Sequence, residues 1–229
     1  MSAIFRLQTP VSPHAAPRVV FCFIALHSCF LCLSGCFTDS DKIASDREVL
    51  KNRCLAILEN GVGTEQLFLE AAEGFRKFAK EMPSERLGLQ NLCVTLLLRL
   101  QKIDPTESAV QFAALKREFE SSTRALKALA PDEPDADVLM SRFHKHVNDR
   151  EQEIESLRIA CRAPKATVDT FFQLYQVLQM DAKPVHLPEM LTVIKSAVKL
   201  APSNLVAAVA LLDALAKSKD AGFSKRVKQ

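Results

Sequence analysis

An all-α fold of antiparallel helix pairs is what this sequence predicts, and three observations predict it. From residue 45 onward apolar residues recur at three- and four-residue spacing, and no segment alternates strictly with period two over a strand's length. Only 6 of the 229 residues are Gly, too few for a fold rich in tight turns or for Gly-rich phosphate loops. Prolines and polar turns break the apolar pattern at short intervals, which makes sequential helices antiparallel neighbours. Composition agrees: 48% hydrophobic and 25% charged residues make an ordinary globular mix and exclude wholesale disorder. With 30 basic against 27 acidic residues, net charge is +3, too balanced for nucleic acid to be the main partner.

About nine helices follow an N-terminal signal helix. Ser45-x-x-Glu48 is a capping box opening the first, whose Leu50, Cys54, Ile57 and Leu58 form a stripe before Gly61 and Gly63 end it. Thr64 caps the second, with Leu67, Ala71, Phe75 and Phe78 on one face and Pro83 as its stop. The third, about Glu85 to Ile103, is apolar on most sides (Leu87, Leu92, Leu96, Leu97, Leu100) and so packs on both flanks. Thr106 is the cap expected for the fourth, which carries Phe112, Leu115, Phe119, Leu126 and Leu129. A fifth, about Asp135 to Val147, turns Val138, Leu139, Phe143 and Val147 inward, and Asn148-Asp149 marks a turn. The sixth, about Arg150 to Arg162, carries Ile154, Leu157 and Cys161; the seventh, about Ala166 to Met180, carries Val168, Phe171, Phe172, Tyr175 and Leu178. Pro188 suits the first residue of the eighth, with Leu191, Ile194, Ala197 and Val198 inward and Pro202 as its end. Ser203 is the cap expected for the ninth, whose Leu205, Ala208, Leu211, Leu212 and Leu215 are expected to face the core. Residues 218–229 read as a basic, fraying tail, and residues 45–217 as one helical repeat domain.

The first 35 residues are different. They hold no Asp or Glu, and an apolar run of 15 residues, Val19 to Leu33, follows Arg18. That is short of the about 20 residues needed to span a bilayer, and it fits a cleaved export signal. The run ends in Leu33-Ser34-Gly35-Cys36, which resembles the lipobox of bacterial prolipoproteins. The resemblance implies cleavage between Gly35 and Cys36, acylation of the Cys36 thiol, and a lipidated tether at residues 36–44. It further implies attachment to membrane lipid on the periplasmic side, with Phe37 in place of an Asp pointing to the outer membrane. Two or more acyl chains anchor a protein stably without any spanning helix. Pro10, Pro13 and Pro17 before the run, and His27 and Ser28 within it, depart from the pattern. An uncleaved anchor and an ordinary secretory signal are the other readings of this segment.

Similar phrases close several helices: residues 78–83, 126–131, 158–164 and 197–202 each end in proline, at intervals of 48, 33 and 38 residues. A helix pair repeating about every 34 residues and closing on proline resembles the tetratricopeptide repeat (TPR). Ala71 and Phe75 stand twelve and eight residues before Pro83, where that family prefers a small and an aromatic residue. The repeat is degenerate: the usual Trp, Gly and Tyr of the first helix are missing, and Leu58-Glu59 stands where Leu-Gly is expected. The resemblance implies a stacked α-solenoid that binds peptides or partner proteins along a groove.

No catalytic constellation is evident, so the sequence reads as a non-enzyme with no cofactor, no metal and no small-molecule substrate. His144-x-His146 points its two rings about 200° apart on a helix, which suits solvated surface histidines better than a shared metal. His186 reads as a lone structural or surface residue, and Asp149, Glu151, Glu153 and Glu155 as a solvated face with helix ion pairs. Cys54, Cys93 and Cys161 read as buried small hydrophobes, with a Cys54–Cys93 disulfide left open. The functional expectation is a membrane-anchored interaction scaffold. A helical accessory subunit of an envelope enzyme system, and a remnant of a longer repeat protein, stand as alternatives.

Overall fold

The structure, a computed structural model, describes residues 48–49, 51–56, 64–181 and 183–227, with Pro184 and residues 219–227 described by backbone alone. Gly35, Cys36, the tether, the Ser45 cap and Leu58 to Gly63 lie outside the described residues. Within them the chain is all helical: residues 48–49 and 51–56 lead into α1 (Glu65–Glu81), α2 (Arg86–Leu100), α3 (Ala109–Leu129) and α4 (Asp135–His146). There follow α5 (Arg150–Arg162), α6 (Val168–Asp181), a 3-10 turn (Pro184–His186), α7 (Leu187–Leu200) and α8 (Leu205–Val227). Each helix packs on the next, and α2 also meets α4 across α3, so the helices stack as pairs in a TPR-like α-solenoid.

Local chemistry sets the boundaries. The Thr64 hydroxyl accepts from the Leu67 N–H at 3.4 Å and caps α1, as expected. Asp149 caps α5 by accepting from the Gln152 N–H at 3.1 Å. Before it, Asn148 adopts φ 59°, its N–H reaching Lys145 O and the Asp149 N–H reaching His144 O, a Schellman close to α4. Two expected caps lie elsewhere. Thr106 is held in a turn by the Asp104 carboxylate at 2.6 Å, and α3 starts three residues later. Asn204 rather than Ser203 caps α8, accepting from the Ala207 N–H at 3.1 Å. The helix then continues past Lys217 to Val227, through the stretch expected to fray, with Lys217 and Asp213 paired one turn apart at 2.6 Å.

The close approach of α1 and α2 depends on Gly88. A Cβ there would lie 2.8 Å from the Phe78 ring and 2.9 Å from the Ala79 backbone nitrogen. The apolar interior has two clusters. One gathers Cys54, Phe75, Leu96, Leu100, Phe119 and Phe143 from the leading segment and α1–α4. The other gathers Leu157, Leu174, Leu178, Ile194, Ala207 and Ala214 from α5–α8. Ser141 of α4 and Glu153 and Ser156 of α5 are buried polar residues on the two helices that connect the clusters.

Candidate functional site

The pattern of helix α8 differs from that of the other helices. Among its described side chains the buried ones are the small Ala207 and Ala214, with Ala210 and Leu211 half-buried against the same cluster. The sequence expectation put Leu205, Leu212 and Leu215 inward; instead Leu205 is 79% and Leu212 67% exposed, and Leu215 is also exposed. The reason is steric: alanines let α8 approach α7 closely, so the bulky residues turn outward. Val209, at 65% exposure, completes an outward stripe of Leu205, Val209 and Leu212 at helical spacing.

Part of α8 and one face of α6 border a cavity of about 460 Å³. Tyr175 and Gln179 of α6 and Leu205, Val206, Val209 and Asp213 of α8 line it. The Tyr175 hydroxyl donates towards Asp213 Oδ2 and the Ala210 carbonyl, at 3.3 Å each. Burial, then the Asp213 charge, pushes the Tyr175 phenol up, while Lys217 first of all holds the Asp213 carboxyl below its ordinary value. The groove is therefore an apolar trough with one carboxylate at its edge.

The other residues singled out in the sequence have structural roles. His146 Nε2 lies 3.1 Å from the Leu100 carbonyl and joins α4 to α2. His144 is half-buried, which depresses its imidazole pKa, and stands edge-on to Phe143. His186 Nε2 contacts Asp181 at 2.8 Å across the turn before α7. The acidic run is not wholly a solvated face: Glu153 is buried at 3% exposure beside Arg150, and burial raises its carboxyl pKa. Its spacing from Leu157 and Ala160, four and seven residues on, was the available sign. Val147 is exposed rather than inward. Cys54 and Cys93 are buried free thiols and Cys161 is half-buried, with burial pushing both Cys93 and Cys161 up to about 12. Among the described residues no three His, Cys, Asp or Glu side chains converge as metal ligands, and no helix is long and apolar enough to cross a membrane.

Two two-pronged ion pairs that the sequence reading missed link alternate helices, besides the single contact of Arg86 on α2 with Asp135 on α4 at 3.3 Å. Arg76 on α1 grips Glu118 on α3 through Nε and, at 3.0 Å, through Nη2. Arg158 on α5 grips Glu189 on α7 in the same two-pronged way, at 2.7 and 2.8 Å. Both glutamates stand thirteen residues before a closing proline, Pro131 and Pro202.

No protein-family model matches the chain, and no curated protein matches it. Solved structures do, among them the crystal structure of a thermophilic TPR protein of Thermus thermophilus. It aligns at 17% identity with a TM-score of 0.55, covering 76% of this chain and 84% of that one. At that identity the likeness is one of fold, and it agrees with the helix-pair stack described above.

Proposed function

We propose that the protein is a lipid-anchored, non-catalytic scaffold whose TPR-like stack holds a protein partner in the α6–α8 groove. The observation that carries the binding part is the outward apolar stripe of α8 beside the 460 Å³ trough. Leu205, Val209 and Leu212 would each contribute about 1.5–3 kcal/mol if a partner fully covered them, enough together for a specific contact. The partner presents an apolar segment, and a basic or hydrogen-bonding group on it meets Asp213. The anchoring part rests on Leu33-Ser34-Gly35-Cys36 after a short apolar run. Acylated Cys36 holds the chain at the periplasmic face of the envelope, at the outer membrane.

One paired experiment tests both parts. Cys36→Ser releases the chain into the soluble fraction, whereas Val209→Asp leaves it on the membrane, folded, but without the protein that co-purifies with the parent. A Cys36→Ser chain that stays on membranes refutes the anchor. A Val209→Asp chain that keeps the same partner refutes the groove.

A further inference from the structure

Away from the groove, α3 and α4 enclose a cavity of about 310 Å³, lined by Glu120, Thr123, Arg124 and Lys127 of α3 and by Asp137 and Met140 of α4. Three of its four charged side chains have partners: Lys127 pairs with Asp137 at 2.8 Å, and Glu120 with Lys116 at 3.7 Å. Arg124 makes no ion pair; its Nε bonds only the Glu120 carbonyl of its own helix, and the side chain is exposed.

The stack itself shows what an arginine at this place takes. Arg124 stands seven residues before Pro131, as Arg76 stands seven before Pro83, and Arg158 stands six before Pro164. Arg76 and Arg158 each hold, by two hydrogen bonds, a glutamate from the closing helix of the following pair. Each of those glutamates is followed by a large buried residue, Phe119 after Glu118 and Met190 after Glu189. The matching glutamate for Arg124 is Glu151, thirteen residues before Pro164, but Gln152 follows it and both are exposed. Without an apolar anchor beside it, Glu151 has nothing to seat it, and this one seam stays open.

We propose that the α3–α4 notch is a second docking site, which takes a helical segment of a protein partner carrying a glutamate followed by a bulky apolar residue. The glutamate forms the two-pronged pair with Arg124, and the apolar residue rests on the half-buried Met140. Charge complementarity fixes the sign of the partner, since every other charge in the notch is already neutralised. Two parallel N–H···O bonds to a carboxylate also supply direction, which a point charge does not.

The test uses the full chain and a fluorescein-labelled peptide copying residues 187–200, which carries the Glu189–Met190 arrangement. Anisotropy should report millimolar or tighter binding. Arg124→Gln, or glutamate to glutamine in the peptide, should each weaken it about fivefold, and the two together no further. Parent-like thermal melts of Arg124→Gln exclude unfolding as the cause. Val209→Asp should leave binding unchanged, separating this site from the α6–α8 groove. The proposal is overturned by no binding at millimolar peptide, by an Arg124→Gln chain that binds as the parent does, or by loss of binding in Val209→Asp. It is equally overturned if Glu151→Gln tightens binding, since Arg124 would then already be held by its own chain.

Discussion

The two halves of the stack bury apolar surface in different ways. In α1–α4 four phenylalanines, Phe68, Phe75, Phe119 and Phe143, are fully buried, and Phe119 and Phe143 meet with ring centroids 5.5 Å apart. In α5–α8 the fully buried large residues are aliphatic, Leu157, Leu174, Leu178 and Ile194, and α8 adds the buried Ala207 and Ala214 with Leu211 half-buried beside them. Aromatic filling spends the bulky residues on the interior. Alanine contacts free them for the outside, and the outward stripe of α8 is the result. Packing and recognition are thus traded against each other along one stack of similar helices.

Core truncation should break this contrast most sharply. Phe143→Ala removes a fully buried ring from the first cluster and should cost about 3–5 kcal/mol in urea unfolding. Gly88→Ala should cost about 1–3 kcal/mol, because the added carbon meets backbone as well as the Phe78 ring. Glu153→Gln probes the buried polar residues on the helices that connect the halves. Burial raises the Glu153 carboxyl pKa, so the stability its protonated form supplies is present below the ordinary carboxylate range and is lost as pH rises through the raised value. The glutamine variant stays neutral. Its stability should fall less than the parent's between pH 4 and pH 7, read from melts at both values. The smallest effect is expected outside: Leu212→Ser should change stability by less than about 0.5 kcal/mol, because the side chain is 67% exposed, while weakening partner capture.

Much of the helical order was legible. Helices with one apolar stripe and a proline stop, such as α1 with Phe75, Phe78 and Pro83, declare both face and end locally. Helix α8 misled because it is apolar on nearly every side, so periodicity cannot say which face is buried; Ala207 and Ala214 win only because α7 lies close. The Thr106 and Ser203 caps failed because neighbouring Asp104 and Asn204 made the competing hydrogen bonds. The Arg76–Glu118 and Arg158–Glu189 pairs span 42 and 31 residues, and only the stacking of alternate helices brings them together. Groove and notch were illegible for the same reason, since both form between helices. Cys36 is proposed from its local motif alone and lies outside the described residues.

Whether the partner is held at α8 is answered by a photoreactive benzoylphenylalanine placed at position 209 and, separately, at exposed position 142 on α4, with irradiation of intact cells. Crosslinking of the protein to a distinct partner from position 209, and no crosslink to that same partner from position 142, is the predicted result. Equal crosslinking from both positions, or none from position 209, would contradict it.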